Sequence, residues 1–149
     1  MIKKENCISI EGSAENWEEA IQLCGQKLQD NGKTEAIFTT NCIEREKEYP
    51  TGLPATIPVA IPHSISEGIN ESSICFLRLK EPVEFKRMDN DEESIVTNLI
   101  FNLAIKDSGD HIQFLQKLMG FLMDEKAVKQ CLNLEIQKVN EYLQKNLVI

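Results

Sequence analysis

The chain has 149 residues, and 16 lysines and arginines against 24 aspartates and glutamates give it a net charge of −8. This length predicts a single domain spanning residues 1–149, and 42% hydrophobic residues suffice for a buried core, which excludes a disordered chain. The acidic balance argues against binding of nucleic acid, which needs a cationic face, and permits docking to a basic partner protein.

The N-terminal segment contains two lysines but lacks the apolar core of a signal peptide. No stretch of the sequence approaches the roughly 20 apolar residues of a membrane span. We therefore expect a cytoplasmic protein without direct membrane insertion. The five cysteines are scattered, odd in number and without a CxxC pair, which predicts reduced thiols rather than disulfides or a zinc site.

The N-terminal third predicts one strand and two helices. Residues 5–11 alternate as a short strand does. Ser13 can cap a helix over residues 14–30, which ends at Asn31-Gly32, because both residue types tolerate a left-handed backbone. One face of this helix is apolar and is formed by Trp17, Ala20, Ile21, Cys24 and Leu28. A second helix over residues 40–49 is expected to end before Pro50.

The middle of the chain predicts a loop followed by strands. Residues 50–63 hold four of the five prolines, which predicts a loop leading into a short extended segment. Strands are expected at residues 73–79, at 83–85 after a turn at Glu81-Pro82, and at 95–105, the last of them buried. Residues 90–93 read as an acidic turn between strands.

Helices are predicted to complete the chain. One begins at Asp107 or Ser108, and its inner face is assigned to Ile112, Leu115, Leu118, Met119 and Leu122. Two more are expected at residues 126–132 and 134–147. Helices before and after a group of strands predict an α/β layer fold, with a sheet covered by helices.

The chain has only two histidines, and both lie at the boundaries of predicted elements. His63 ends the proline-rich segment, where the neighbouring prolines restrict the backbone and orient its side chain. His111 falls in the first turn of a helix, whose partial positive charge lowers the pKa of an imidazole and attracts anions. A neutral imidazole is a nucleophile, so the pair is a candidate site for anion chemistry, whereas a lone histidine is more commonly an ordinary loop residue.

Other chemistries find less support in the sequence. The P-loop and GxGxxG nucleotide motifs are absent, and two histidines without HExxH spacing make a poor metal site, so we expect no cofactor and no metal. A Cys75–His111 hydrolase is disfavoured because Cys75 lies in the middle of an apolar strand. Arg45 is either a solvated helix residue or an anion clamp, since a guanidinium can bind two phosphoryl oxygens.

The segment IEREKEYPTGLPATIPVAIPH, residues 43–63, resembles the active-site region of the enzyme IIA domains of the bacterial sugar phosphotransferase system. Three features carry the resemblance: the pair Arg45-Glu46 before Thr51-Gly52, the run Ala-Ile-Pro-His ending at His63, and a helix of the form HxxxLxxL beginning at His111. The match is to the fructose–mannitol class, PTS EIIA type 2. The Pro-Thr-Gly-Leu form at 50–53 is most similar to its galactitol-type subgroup.

This resemblance implies a phosphoryl relay on a mixed β-sheet flanked by helices on both faces. His63 would accept a phosphoryl group from the phosphocarrier HPr and pass it to a cysteine of the cognate IIB protein, which serves the membrane component IIC. His111 would stabilise the phosphoryl group, and Arg45 would neutralise its charge. Such a transfer requires positioning and charge neutralisation rather than ATP or a metal.

Docking of these partners requires an exposed apolar surface around His63, and Leu53, Ile57, Val59 and Ile65 are the candidates. The relay would serve uptake of a sugar or polyol, and the subgroup resemblance at residues 50–53 implies galactitol. A second hypothesis is a nitrogen-type regulatory module that uses the same phosphohistidine to control partner proteins. A third is an interaction domain with inert histidines.

Overall fold

The computed structural model describes residues 2–147, except for the side chains at positions 108 and 110. After a short 3-10 turn at Lys4–Asn6, the elements follow in chain order. They are β1 (Cys7–Gly12), α1 (Trp17–Asp30), α2 (Ala36–Glu48), β2 (Gly52–Leu53), β3 (Val59–Ala60), β4 (Ser73–Lys86), β5 (Ser94–Ala104), α3 (Ser108–Leu122), α4 (Glu125–Asn133) and α5 (Ile136–Leu147).

The five strands form one mixed sheet in the order β1-β4-β5-β3-β2. β4 and β5 are antiparallel and form its centre, while β1 runs parallel to β4 and β3 parallel to β5. β2 pairs antiparallel with β3 at the other edge. This arrangement confirms the predicted α/β fold with a mixed sheet.

Alternate residues of β4 point to two separate apolar cores, as a strand buried on both faces requires. Ile74 and Phe76 pack into the core that α3, α4 and α5 cover. Cys75 and Leu77 pack into the core beneath α1 and α2. Helices therefore flank both faces of the sheet, as predicted.

The first helix begins later than the sequence pattern suggested, and its predicted cap is wrong. Asn16, not Ser13, is the N-cap residue, and its side-chain oxygen accepts a hydrogen bond of 2.9 Å from the backbone N–H of Glu19. The helix ends at Asp30 as predicted, and Gly32, which follows the C-cap residue Asn31, adopts a positive φ of 72°. The second helix begins at Ala36, four residues before the predicted start, and ends before Pro50 as expected.

The turn predicted at Glu81-Pro82 is wrong, because β4 continues through it to Lys86. The pairing of β4 with β5 changes register between Arg78 and Val83, so the proline lies in a bulge, where its missing N–H is tolerated. The amide group of Asn98 on β5 donates to the Leu79 carbonyl over 2.8 Å and so satisfies an acceptor beside the bulge.

The predicted inner face of α3 needs one correction. Ile112 is 63% exposed, whereas Phe114, Leu118, Phe121 and Leu122 are buried. These four residues recur at spacings of three and four, and position 112 lies on the far side of the helix they define. The remaining predicted helices and β5 lie within two residues of their expected bounds.

All five cysteines are free thiols in the interior, as the sequence predicted. Burial raises the pKa of Cys7 and Cys131 to about 12 and that of Cys42 to about 11, so these thiols stay protonated. Among residues 2–147, no helix is both long and apolar enough to cross a membrane.

Candidate functional site

His63 lies at the end of the proline-rich segment and is attached to the central sheet. It forms an isolated parallel bridge with Leu103 of β5. The carbonyl of the preceding residue, Pro62, accepts hydrogen bonds from the Leu103 backbone N–H and from the Asn102 side-chain amide, each over 3.0 Å. The backbone just before His63 is thus hydrogen-bonded to a buried segment of β5.

The orientation of the His63 ring is set by its own segment. Nδ1 lies 2.8 Å from the carbonyl oxygen of Ile61. A carbonyl oxygen can only accept, so Nδ1 carries the proton of the neutral ring and Nε2 keeps its lone pair. The half-buried imidazole therefore offers Nε2 as its nucleophilic atom.

The structure brings the second histidine to the first. His111 follows the α3 N-cap residue Asp107 by one turn, and its backbone N–H donates to the Asp107 carbonyl over 2.9 Å. The two imidazole rings lie 5.8 Å apart between centroids, at an interplanar angle of 57°. His63 and His111 are 48 positions apart in the sequence, and only the pairing of the His63 segment with the strand before α3 makes them neighbours.

Arg45 reaches the same site from the last turn of α2. Its guanidinium carbon lies 5.1 Å from the centre of the Tyr49 ring, a cation–π distance that restrains the side chain. Its Nε atom is buried and has no hydrogen-bond partner among the described residues. An unsatisfied guanidinium N–H beside two imidazoles is suited to binding an anion. Of the two interpretations of Arg45 from the sequence, the half-buried side chain favours the anion clamp over the solvated helix residue.

Both histidines are held in the neutral form. Burial lowers the pKa of His63 below its ordinary value of 6.5, and the positive charge of Arg45 lowers it further, against the opposing effect of the bond to the Ile61 carbonyl. Burial and the charge of Arg45 also lower the pKa of His111. A neutral Nε2 nucleophile is therefore available at neutral pH and somewhat below it.

A buried carboxyl group, named in the sequence analysis only as part of the Arg45-Glu46 motif and given no role there, supports this site. Glu46 is 5% exposed and accepts hydrogen bonds from the backbone N–H of Thr51 over 2.7 Å and from its hydroxyl over 2.8 Å. The Thr51 carbonyl in turn accepts the Ile61 N–H over 3.3 Å. Glu46 therefore ties the end of α2 to the residue whose carbonyl orients His63.

Gly52 allows this connection to pack closely against the sheet. A Cβ atom at this position would lie 2.6 Å from the Lys86 carbonyl oxygen and 2.8 Å from Cγ1 of Ile95. The Gly52 carbonyl accepts a hydrogen bond of 2.9 Å from the Met88 N–H. The Thr-Gly pair of the sequence motif thus has a structural explanation: threonine binds Glu46, and glycine permits the contact with β4.

The expected docking surface needs correction at most of its residues. Leu53 of β2 and Val59 of β3 are buried, and Ile57, between these two strands, packs against the core. Only Ile65 is exposed, at 65%. It lines a shallow pocket of about 260 Å³ beside the site, together with Asn41, Glu44, Arg45, Glu48, Tyr49 and Ser64.

A larger surface cavity of about 700 Å³ lies elsewhere, between β1, α1 and α5, and its lining includes neither histidine nor arginine. Within the described part of the chain, no group of three His, Cys, Asp or Glu side chains could hold a metal ion.

Comparison with curated proteins finds mannitol-specific EIICBA components of the phosphotransferase system. Those of Escherichia coli K12 and Pasteurella multocida are each 29% identical to this chain, over 114 and 117 residues. The matches include 76% and 78% of this chain but only 17% and 18% of the relatives, so the chain spans about a sixth of their length.

Solved structures have the same fold over nearly the whole chain. The crystal structure of IIA mannitol from Escherichia coli has a TM-score of 0.74 at 26% identity, covering 96% of this chain and 99% of that one. The complex of enzyme IIAMTL and phosphorylated enzyme IIBMTL from the same organism scores 0.76 at 24% identity, covering 97% and 98%. The nitrogen regulatory protein IIA-Ntr from Neisseria meningitidis scores 0.75 at 24% identity, covering 94% and 97%.

A family model, described as phosphoenolpyruvate-dependent sugar phosphotransferase system, EIIA 2, matches residues 1–146. This match includes both histidines, Arg45 and every strand of the sheet. The chain therefore belongs to the EIIA type 2 family of the phosphoenolpyruvate-dependent sugar phosphotransferase system.

Proposed function

We propose that this protein relays a phosphoryl group through Nε2 of His63. The observation that carries the proposal is the bond between His63 Nδ1 and the Ile61 carbonyl, which leaves Nε2 unprotonated next to His111 and Arg45. Membership of the EIIA type 2 family gives this geometry its reaction class. The donor would be the phosphocarrier HPr and the acceptor a cysteine of a cognate IIB protein, which then serves IIC.

The transfer balances without a cofactor. The lone pair of Nε2 attacks phosphorus, the new N–P bond forms, and the P–N bond to the donor breaks with its electron pair returning to the donor ring. His63 keeps its Nδ1 proton throughout, and the Ile61 carbonyl stabilises the positive charge that develops on the phosphorylated ring. Passage to IIB reverses these changes, with a thiolate sulfur attacking the phosphorus.

The neighbouring groups act on the negative charge of the transferred group. Arg45 would neutralise it through the guanidinium, whose Nε lacks another partner among the described residues. His111, neutral at working pH, would donate one hydrogen bond to a phosphoryl oxygen. Both groups position and stabilise, and neither needs to exchange a proton with the reacting atoms.

The surface around the site suits transient docking to a basic partner. Three exposed large hydrophobic residues lie within four positions of a site residue in sequence: Tyr49, Ile65 and Ile112. The acidic Glu44 and Glu48 line the pocket next to Arg45, which gives a basic partner a complementary rim. HPr and IIB would use this surface in turn.

The assignment to transport is favoured over regulation because the curated relatives are mannitol-specific transport components. The imported compound would be a polyol, with galactitol among the candidates from the Pro-Thr-Gly-Leu segment. A nitrogen-type regulatory role is the alternative, and the fold is compatible with it. Recovery of IIB from a pull-down with the phosphorylated chain supports transport, whereas recovery of only transcription or ion-transport regulators supports the alternative.

The decisive experiment is phosphorylation with enzyme I, HPr and labelled phosphoenolpyruvate. The wild-type chain should acquire an acid-labile, base-stable label, and His63→Ala should acquire none while keeping its circular dichroism spectrum. His111→Ala serves as the matched control, because it should still be labelled but transfer the group poorly to IIB. Normal labelling of His63→Ala would overturn the assignment.

A further inference from the structure

A buried amide lies in the middle of the central strand, directly behind the site. Asn102 of β5 is 0% exposed, and it shares its face of the strand with Ile100 and Ala104, which are also fully buried. An aliphatic residue would fit the pattern of this strand. A buried amide in such a place costs stability unless its polar atoms are all paired.

Only one end of the Asn102 amide is paired. The nitrogen donates to the Pro62 carbonyl over 3.0 Å and contacts Sγ of Cys42 on α2 at 3.6 Å. The oxygen is buried and has no hydrogen-bond partner in the described part of the chain. An unpaired buried oxygen lowers the free energy of unfolding. We therefore look for a role of the side-chain nitrogen of Asn102 other than stabilisation of the fold.

The donor end connects the two segments that carry the site. Pro62 immediately precedes His63, and Cys42 lies one turn before Arg45 on α2. The Pro62 peptide also lies between Ile61, whose carbonyl holds Nδ1, and His63 itself. A change in the Pro62 carbonyl direction would therefore move the acceptor of Nδ1 and the ring relative to each other.

We propose that Asn102 is a positioning residue for phosphoryl transfer, which holds the Pro62–His63 peptide so that Nδ1 stays on the Ile61 carbonyl and Nε2 faces Arg45 and His111. This inference rests on the proposed function of His63. Asn102 touches no reacting atom and acts through Pro62. Its unpaired oxygen is the stability cost of that arrangement.

The chain offers a matched control on the same strand. Asn98 also donates its amide to a carbonyl, that of Leu79 over 2.8 Å, but it does so at the bulge rather than at the site. Asn102→Leu and Asn98→Leu therefore make the same chemical change at two places on β5. Asn102→Ala is the second variant, in case leucine does not fit the space at position 102.

Three measurements test the proposal. Thermal unfolding of Asn102→Leu or Asn102→Ala should show little loss of melting temperature, because the unpaired oxygen is removed and Pro62 keeps the Leu103 N–H. The rate of phosphorylation by HPr should fall at least about tenfold, since misplacement of a reacting group has large kinetic effects. Nitrogen-15 spectra of the His63 ring should change from the Nδ1–H tautomer to a mixture of tautomers.

The outcomes separate this inference from the proposed function. An unchanged rate and an unchanged His63 tautomer in the Asn102 variants would overturn it, as would an equal loss of rate in Asn98→Leu. A wild-type chain that HPr does not phosphorylate would refute the proposed function, and the tautomer spectra would then decide on Asn102 alone. Loss of rate with the melting temperature retained, together with a mixed tautomer, would establish the positioning role.

Discussion

Replacement of Glu46 tests whether the buried carboxyl group holds the Thr51 segment in place. Glu46→Ala removes the acceptor of two hydrogen bonds from Thr51, which is itself only 3% exposed. Each buried donor left unpaired costs about 1 to 3 kcal/mol, so we expect a loss of about 2 to 6 kcal/mol in the free energy of unfolding for the two donors. At a pH below about 4.5, where the wild-type carboxyl group is neutral as well, Glu46→Gln keeps an acceptor for the Thr51 N–H and should lose about 1 kcal/mol or less.

The pH dependence of stability provides an independent measurement on the same residue. Burial raises the pKa of Glu46 from 4.5 to about 7, against the opposing hydrogen bonds from Thr51 and the charge of Arg45. The folded chain therefore binds a proton that the unfolded chain releases between about pH 4.5 and 7, and stability falls as the pH rises through that window. The contribution lost is up to about 3 kcal/mol.

The assay is urea unfolding of wild type, Glu46→Gln and Glu46→Ala at a series of pH values. The glutamine variant does not titrate at this position, so the difference between it and wild type isolates the Glu46 contribution. We expect wild type to lose stability relative to Glu46→Gln as the pH rises from about 4.5 to 7 and to level off above it. Parallel curves for the two proteins would refute the raised pKa, and equal stability of the alanine and glutamine variants would refute the role of the hydrogen bonds.

Further predictions concern the packing of the site and its charges. Gly52→Ala should destabilise the chain by about 1 to 3 kcal/mol in thermal unfolding, because the Lys86 carbonyl oxygen would lie 2.6 Å from the new Cβ. Equal melting temperatures of the variant and wild type would contradict the close packing of Gly52 against Lys86. Leu118→Ala, at a fully buried position about two turns after His111 on α3, should cost about 2 to 5 kcal/mol while leaving the rate of phosphorylation per folded molecule unchanged. Arg45→Gln should raise the pKa of His63 in an NMR titration, because a positive charge that disfavours the imidazolium is removed. An unchanged or lower pKa would contradict this electrostatic effect of Arg45.

The sequence predicted the layers of the fold because its apolar periodicities are local and strong. Residues 95–105 are apolar enough to identify β5 without tertiary information, and Asn31-Gly32 ends α1 through its own backbone preference. The errors fall where a distant contact overrides the local signal. Pro82 predicts a turn, but pairing with β5 continues β4 through a bulge.

The site itself was predictable only in part. His63, His111 and Arg45 were found from the motif, and their roles remain predictions. Glu46 belonged to the same motif but had no assigned role, and Asn102 was only one polar residue interrupting an apolar strand. Their functions depend on hydrogen bonds to Thr51 and to Pro62, and Asn102 and Pro62 are 40 positions apart, a pairing that periodicity cannot reveal.

The transition from interior to surface at the site occurs within a very short stretch. The Pro62 carbonyl is bound to β5, and Ile65, separated from it by two residues, is largely exposed. Under the proposed function, substitutions after His63 would therefore change which protein is recognised, while the His63 ring keeps its hydrogen bond to the Ile61 carbonyl. Under the proposed function, gene duplicates of this domain would acquire new partner proteins by diverging at the exposed residues after His63, with the interior residues inherited unchanged.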